Sequence, residues 1–234
     1  MANRGLRSNM KILLISDIHS NIRALEAVLK AEQGSDQIYC TGDLVDVGFH
    51  AQEVVECVRE AGVICVQGNH DRKVIQRYEE ARDTDCPPRD FADLNARQLN
   101  PDAIAYLKNL PERLHFAHDR VAYLLQHLYR GYDLIETLAE YDSIWADTPV
   151  PEAVSHRAVL LGHTHHPAIC WLRNDACWIN PGSVGYNRPG DPSIATRYVT
   201  IVGGKACIHE LEHPACRSRV AIGEEFTRKF GPTP

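Results

Sequence analysis

Between residues 11 and 70 the chain alternates short apolar runs with amphipathic stretches, a rhythm that few folds other than a parallel βαβ sheet accommodate. Lys11–Ser16 is an apolar run of buried-strand length. Asn21–Gln33 then carries Ile22, Leu25, Ala27, Val28 and Leu29 at helical spacing and stops at Gly34. Gln37–Thr41 predicts a second strand, Gln52–Ala61 a second helix and Val63–Gln67 a third strand. Strands separated in this way by helices pair in parallel and define an α/β chain.

Downstream the rhythm loosens. Asp71–Leu110 is richly charged, breaks at Cys86–Pro87–Pro88, and resumes as helical stretches over Asp90–Leu99 and Pro101–Leu110, the second with Asn100 as its cap. Residues 72–110 therefore read as a helical insertion near the strand ends. Leu114–Ala117 and Val121–Gln126 predict strands joined at Asp119–Arg120, and Tyr132–Tyr141 an amphipathic helix. Further strands are expected over Ala158–Leu161, Ala168–Leu172, Cys177–Ile179, Tyr198–Val202 and Cys207–Leu211, with Gly203–Gly204 turning the last hairpin and one more helix beyond Arg217. Residues 1–9 read as a flexible extension and residues 10–234 as a single domain.

Composition narrows the function. Of 234 residues, 24% are charged and 44% hydrophobic, which fits a globular chain and not a disordered one. The formal net charge of −6 argues against a broad electrostatic grip on nucleic acid or anionic lipid, so no stable nucleic-acid complex is expected. No apolar run approaches the roughly 20 residues that span a bilayer. The N-terminal apolar stretch stops at Ser16–Asp17, too short for an export signal, so the expectation is a cytoplasmic protein without a membrane partner. The eight cysteines form no CxxC pair and read as reduced, mostly buried thiols, not as a zinc site.

Four polar clusters follow apolar strands, where ligand sites of open α/β sheets gather. They are Asp17–Ile18–His19, Gly42–Asp43, Gly68–Asn69–His70–Asp71 and Gly162–His163–Thr164–His165. In an extended segment, residues two apart point to the same side, so Asp17 and His19 can meet one ion, as can His163 and His165. Asn69 can offer an amide oxygen to a metal while the adjacent His70 faces substrate. Singly, each cluster reads equally well as a turn or a strand-end cap. Four in series are hard to explain that way.

In that order the clusters resemble the calcineurin-like metallophosphoesterases, whose motifs are D-x-H, G-D, G-N-H-[DE], a lone histidine and G-H-x-H. Asn180–Gly185, NPGSVG, is similar to the small bacterial phosphodiesterase branch. The resemblance runs from about Met10 to Leu211. It implies a four-layer αββα sandwich of two mixed sheets flanked by helices, with two divalent metals at the strand ends. Asp17, His19, Asp43 and His165 would hold one metal; Asp43, Asn69, His127 and His163 would hold the other, Asp43 bridging. Oxygen and imidazole donors without thiolate suit manganese, the first expectation, as well as iron, zinc or cobalt. By the same resemblance His70 would stabilise charge or protonate the leaving oxygen, and Asp46 would orient His70. From sequence alone Asp46 reads equally as a loop or capping carboxylate.

Two departures from the family pattern matter. The lone histidine is usually followed by glycine, whereas His127 is followed by Leu128; His115 and His118 are the alternatives, and His127 is preferred because it ends the apolar run Val121–Leu125. Serine/threonine protein phosphatases and dinucleoside tetraphosphate hydrolases of the superfamily typically continue G-D-x-x-D with Arg-Gly, an arginine that grips a terminal phosphate dianion, and this chain has Val47–Gly48. Without that bidentate donor a diester monoanion is the better substrate than a monoester dianion. The expected function is hydrolysis of phosphodiester bonds in small or nucleotide-type esters by metal-activated hydroxide. Arg188 is the first candidate for a replacement phosphate contact, ahead of Arg72 and Lys73. The competing readings are a phosphomonoesterase or protein phosphatase of the same superfamily, and a catalytically silent protein-binding scaffold.

Overall fold

The computed structural model describes residues 10–80, 86–191 and 194–232; the extension expected over residues 1–9 lies outside them. In chain order the elements are β1 (Lys11–Ile15), α1 (Ile22–Ala31), β2 (Gln37–Cys40), α2 (Ala51–Glu60), β3 (Ile64–Cys65), α3 (Asn69–Glu79), α4 (Phe91–Gln98), α5 (Pro101–Lys108), β4 (Arg113–His118) and β5 (Val121–Gln126). They continue as α6 (Leu138–Trp145), β6 (His156–Leu160), β7 (Ala168–Arg173), β8 (Ala176–Asn180), β9 (Thr196–Val202), β10 (Lys205–Leu211) and α7 (Arg219–Phe230). The strands form two five-stranded mixed sheets, ordered β10-β9-β1-β2-β3 and β4-β5-β6-β8-β7. β1, β2 and β3 run parallel with β9 antiparallel to β1; β5, β6 and β8 run parallel with β4 and β7 antiparallel at the edges.

The alternation of side chains along β1 explains the layering. Ile12 and Leu14 face the second sheet and pack with Tyr123, Leu125, Leu160 and Ile179. Leu13 and Ile15 face the other way, into a core with Leu25 and Val28 of α1 and Val54, Val55 and Val58 of α2. The outer face of the second sheet is covered by Tyr141, Ile144 and Trp145 of α6. A strand buried on both faces has no polar side to show, which is why these runs are continuously apolar. All the parallel strands deliver their C-terminal ends to one rim.

Three sequence readings change. The helical stretch expected from residue 72 begins earlier, with α3 starting directly after Gly68, so Asn69 and His70 sit in the first turn of a helix. The helix expected over Tyr132–Tyr141 begins only at Leu138, because Thr137 caps it reciprocally with Glu140 while Ile135 turns inward and its carbonyl accepts the Trp178 indole N–H. Finally, only Cys40, Cys65 and Cys177 are buried, and Cys86 and Cys207 are exposed. Among the described residues no helix is long and apolar enough to cross a membrane.

Candidate metal centre

The loops after β1, β2, β5 and β6 and the first turn of α3 converge on one buried polar knot. His127, directly after β5, lies there; His115 and His118 lie back along β4, and His118 pairs with Asp119 at the far hairpin. Two groups of donors stand side by side: Asp17, His19 and His165, and Asp43, His127 and His163, the donor atoms within each group lying within 4.8 Å of one another. In the first, His165 Nε2 is 3.2 Å from Asp17 Oδ1 and 3.2 Å from His19 Nε2. In the second, His127 Nε2 is 3.1 Å from Asp43 Oδ2 and 2.9 Å from Asn69 Oδ1. Asp43 Oδ2 also lies 3.8 Å from His19 Nε2, so this one oxygen faces both groups.

The surroundings decide which atoms are free. Asp17 Oδ2 accepts from the Ser16 hydroxyl and the His163 N–H, and Asp43 Oδ1 accepts from the His70 N–H. The remaining oxygens, Asp17 Oδ1 and Asp43 Oδ2, are buried without a hydrogen-bond partner. His127 Nδ1 donates to the Thr41 carbonyl and His165 Nδ1 to the Tyr186 carbonyl, which turns each Nε2 lone pair toward a carboxylate oxygen. Lone pairs facing lone pairs in a dry site repel unless positive charge stands between them. Where no cation stands between them, the titration shows the same demand for positive charge met by a proton on His127. Burial alone raises the Asp43 carboxyl, but His127 beside it holds it down to about 2. Burial lowers His127, and Asp43 more than reverses this, to about 9. Burial and the neighbouring His127 charge push His163 down to about 4, keeping it a neutral donor. Carboxylate, amide and imidazole donors with two orphaned oxygens fit a pair of divalent cations.

Beside the knot, His70 Nδ1 is 2.6 Å from Asp46 Oδ2, and the His70 ring meets the His19 ring edge-on at 4.9 Å. Burial pulls the His70 imidazole down, yet the Asp46 hydrogen bond and the charges of Asp43 and Asp46 raise it overall, which favours the protonated ring. Arg188 is tied back: Nη2 donates to the His163 carbonyl at 2.7 Å and Nη1 to the Tyr132 hydroxyl at 3.0 Å, leaving Nε buried and unpartnered. Of the other cations considered, Lys73 reaches Asp46 at 3.4 Å and Arg72 pairs with Glu112.

Sequence reasoning missed what holds the knot together. Asp71 is fully buried, and its two oxygens accept the N–H groups of Gly68, Asp43, Leu44 and Val45, clamping the loop after β2 to the start of α3. Its signal was visible as the fourth residue of Gly68–Asp71. Gly68 itself has no room for a Cβ, which would collide with the Asp43 carboxylate and backbone. Asn95, buried in α4, accepts from the Ser20 hydroxyl and the Asp46 N–H and donates to the Gly48 carbonyl, with no pattern in the sequence to announce it. The NPGSVG stretch braces two site loops: Asn180 donates to the Gly162 carbonyl, and the Ser183 hydroxyl to the Asp17 carbonyl. The period-two argument for Asp17–His19 and His163–His165 fails in detail. These residues are not extended but left-handed, with φ of 53°, 49°, 68° and 63°, and His163 and His165 serve different groups. Among the described residues, every other non-glycine at positive φ lies in these same loops (Ser20, Asp43, Asp46, Val47) except the hairpin pair Asp119 and Arg120. Backbone strain is concentrated at the site.

Comparison with known proteins gives the knot a lineage. Residues 10–201 match the calcineurin-like phosphoesterase superfamily domain, and the chain belongs to that superfamily. An uncharacterized protein of Methanocaldococcus jannaschii is 31% identical over 202 residues, covering 76% of this chain and 78% of its own. A metallophosphoesterase from Sphaerobacter thermophilus superposes with a TM-score of 0.71 at 28% identity, covering 95% of this chain and 94% of that one. A hypothetical protein from Pyrococcus horikoshii shares the fold, with a TM-score of 0.69 at 15% identity over 95% of this chain and 94% of that one.

Proposed function

We propose that this chain is a binuclear-metal phosphodiesterase acting on small or nucleotide-type esters. The observation that carries the reading is the pair of orphaned oxygens, Asp17 Oδ1 and Asp43 Oδ2, each facing an imidazole nitrogen beside the Asp46-bound His70. Asp17, His19, Asp43 and His165 would hold one cation and Asp43, Asn69, His127 and His163 the other. Manganese is the first expectation, with iron, zinc and cobalt compatible with the same donors. Such a pair supplies Lewis-acid stabilisation of phosphoryl oxygens and a more acidic water.

The chain's own residues do the rest. Asp46 accepts from His70 Nδ1–H and fixes the ring so that Nε2–H points away from the Asp46 wall. From there His70 hands the Nε2 proton to the departing alkoxide as the P–O bond breaks. The buried knot excludes bulk water, which strengthens every charge interaction within it.

A diester is favoured over a monoester by what stands after Asp46. Val47 is buried against Phe91, Tyr186, Ile222 and Phe226, and Gly48 is pressed on the His19 carbonyl. Position 47 itself therefore holds a buried hydrocarbon side chain where the protein phosphatases and dinucleoside tetraphosphate hydrolases of the superfamily carry a guanidinium, and that particular grip on a monoester dianion is lost.

The test compares bis-p-nitrophenyl phosphate with p-nitrophenyl phosphate on metal-stripped protein resupplied with manganese, alongside His70→Ala. Diester turnover that requires metal and collapses in the variant is expected. A clear monoester preference would favour the phosphatase reading, and two bound metals without turnover of either ester the scaffold reading.

A further inference from the structure

Beside His163 a crevice of about 390 Å³ opens between the segment after β5 and the loop after β6. Its walls are Leu128, Ile135, Leu161 and Trp178, and its mouth carries Tyr132 and Leu134, which are 62% and 49% exposed. Large apolar side chains left in water at the rim of an apolar hollow mark a binding surface more than a packing fault. Three features tie it to the metal centre. His163 lines the crevice and belongs to the second donor group. The Tyr132 ring lies 4.5 Å from the His163 ring, and the Arg188 guanidinium stands 4.8 Å over Tyr132. Tyr129 and Arg188, both lining residues, bring a buried hydroxyl and a buried Nε without hydrogen-bond partners.

The two sides of the centre are not equivalent. His70 sits against His19, on the side of the first donor group, while the crevice opens beside His163, on the side of the second. If His70 protonates the leaving oxygen, the departing arm lies on the His19 side and the other arm of the diester extends past His163. We infer that the crevice beside His163 holds a flat aromatic substituent on the retained arm of the ester, making Leu134 and Tyr132 specificity-determining residues. This rests on the phosphodiesterase reading and deepens it: the substrate would be a diester whose retained arm carries an aromatic ring close to phosphorus.

The experiment separates the retained arm from the leaving group. Phenyl p-nitrophenyl phosphate and methyl p-nitrophenyl phosphate lose the same p-nitrophenolate and differ only in the arm that stays. On manganese-loaded protein the phenyl ester should be preferred in kcat/KM by about tenfold or more, the scale expected for burying one ring. Calorimetric titration with phenylphosphonate and methylphosphonate reads the same preference as binding, without turnover. Leu134→Gln, at an exposed position that tolerates a polar residue, should bring both ratios toward one, chiefly by raising KM for the phenyl ester. Equal affinity for the two phosphonates overturns the subsite even when both diesters are hydrolysed. Failure to turn over either diester overturns the phosphodiesterase reading and, with it, the assignment of the crevice to a retained arm.

Discussion

The two flanks of the metal centre are built on opposite principles. The flank formed by residues 16–71 is dry, and a hydrogen-bond network holds its loops around the free oxygens Asp17 Oδ1 and Asp43 Oδ2: Asp71 binds four backbone N–H groups, Asp46 binds His70, and Asp17 Oδ2 binds Ser16 and the His163 N–H. The flank formed by Leu128–Ile135 and Arg188 exposes Tyr132 and Leu134 and leaves Tyr129 and Arg188 with unpaired polar atoms. A committed hydrogen-bond network holds donor atoms to fractions of an ångström, which charge stabilisation requires. An open apolar wall adapts to different ligands. If the proposed function holds, chemistry belongs to the first flank and selectivity to the second, and substitutions on the two sides should separate accordingly.

The largest effect should come from Asp43→Ala. It removes the oxygen that faces both donor groups and the partner of the His70 N–H. Metal content measured by mass spectrometry should fall from two per chain toward one or fewer. Diester turnover should drop by more than about 10³-fold, beyond the 10–100-fold typical of residues that only support metal ligands. Full metal content in this variant would break the view that Asp43 bridges.

His70→Ala should slow turnover by about 10²–10⁴-fold with both metals still bound, the range for losing one proton donor. That pair of outcomes would place His70 on the reacting oxygen and not on a metal. Asp46→Asn should show a smaller loss in the same direction, because it disturbs the orientation of His70 without removing it.

Asp71→Ala tests the dry flank as structure. Four buried N–H groups would lose their acceptor at once, at about 1–3 kcal/mol for a buried unsatisfied group, so a loss of at least ~3 kcal/mol in denaturant unfolding is expected. An unchanged midpoint would show that water replaces the carboxylate and that the clamp is not what positions Asp43.

This difference between flanks also sets what could be read from the sequence. The strand–helix rhythm of residues 11–65 was legible because β1 to β3 and their helices bury on both faces, and burial writes itself as apolar runs. The donor clusters were legible because each follows such a run. The left-handed backbone at Asp17, His19, His163 and His165 was not, since no glycine marks those positions and tertiary contacts impose the conformation. Asn95 was not legible either, as one polar residue in a helix looks solvated until Ser20, Asp46 and Gly48 are brought to it. The segment Tyr132–Glu136 misled because apolar residues that line an open crevice have the same spacing as apolar residues on a helix face.

The smallest effect, and the one that sharpens the contrast most, belongs to Arg188. Nη1 and Nη2 each spend one N–H on the Tyr132 hydroxyl and the His163 carbonyl, and Nε is buried, so the fork offered to a passing phosphate is already partly committed. An arginine so committed braces the open flank and adds a weak contact to the ester; it is not poised to grip a transferring phosphoryl group with both arms of its fork. Arg188→Lys keeps the charge and loses the fork. KM for the diester should rise by about two- to fivefold, with kcat and metal content nearly constant, because lysine keeps the charge and only part of one charged hydrogen bond is lost. Turnover slowed by about a hundredfold or more with KM unchanged would instead put Arg188 on the reacting phosphoryl oxygens. The open flank would then share in the chemistry, and the division between a chemical and a selective side would no longer hold.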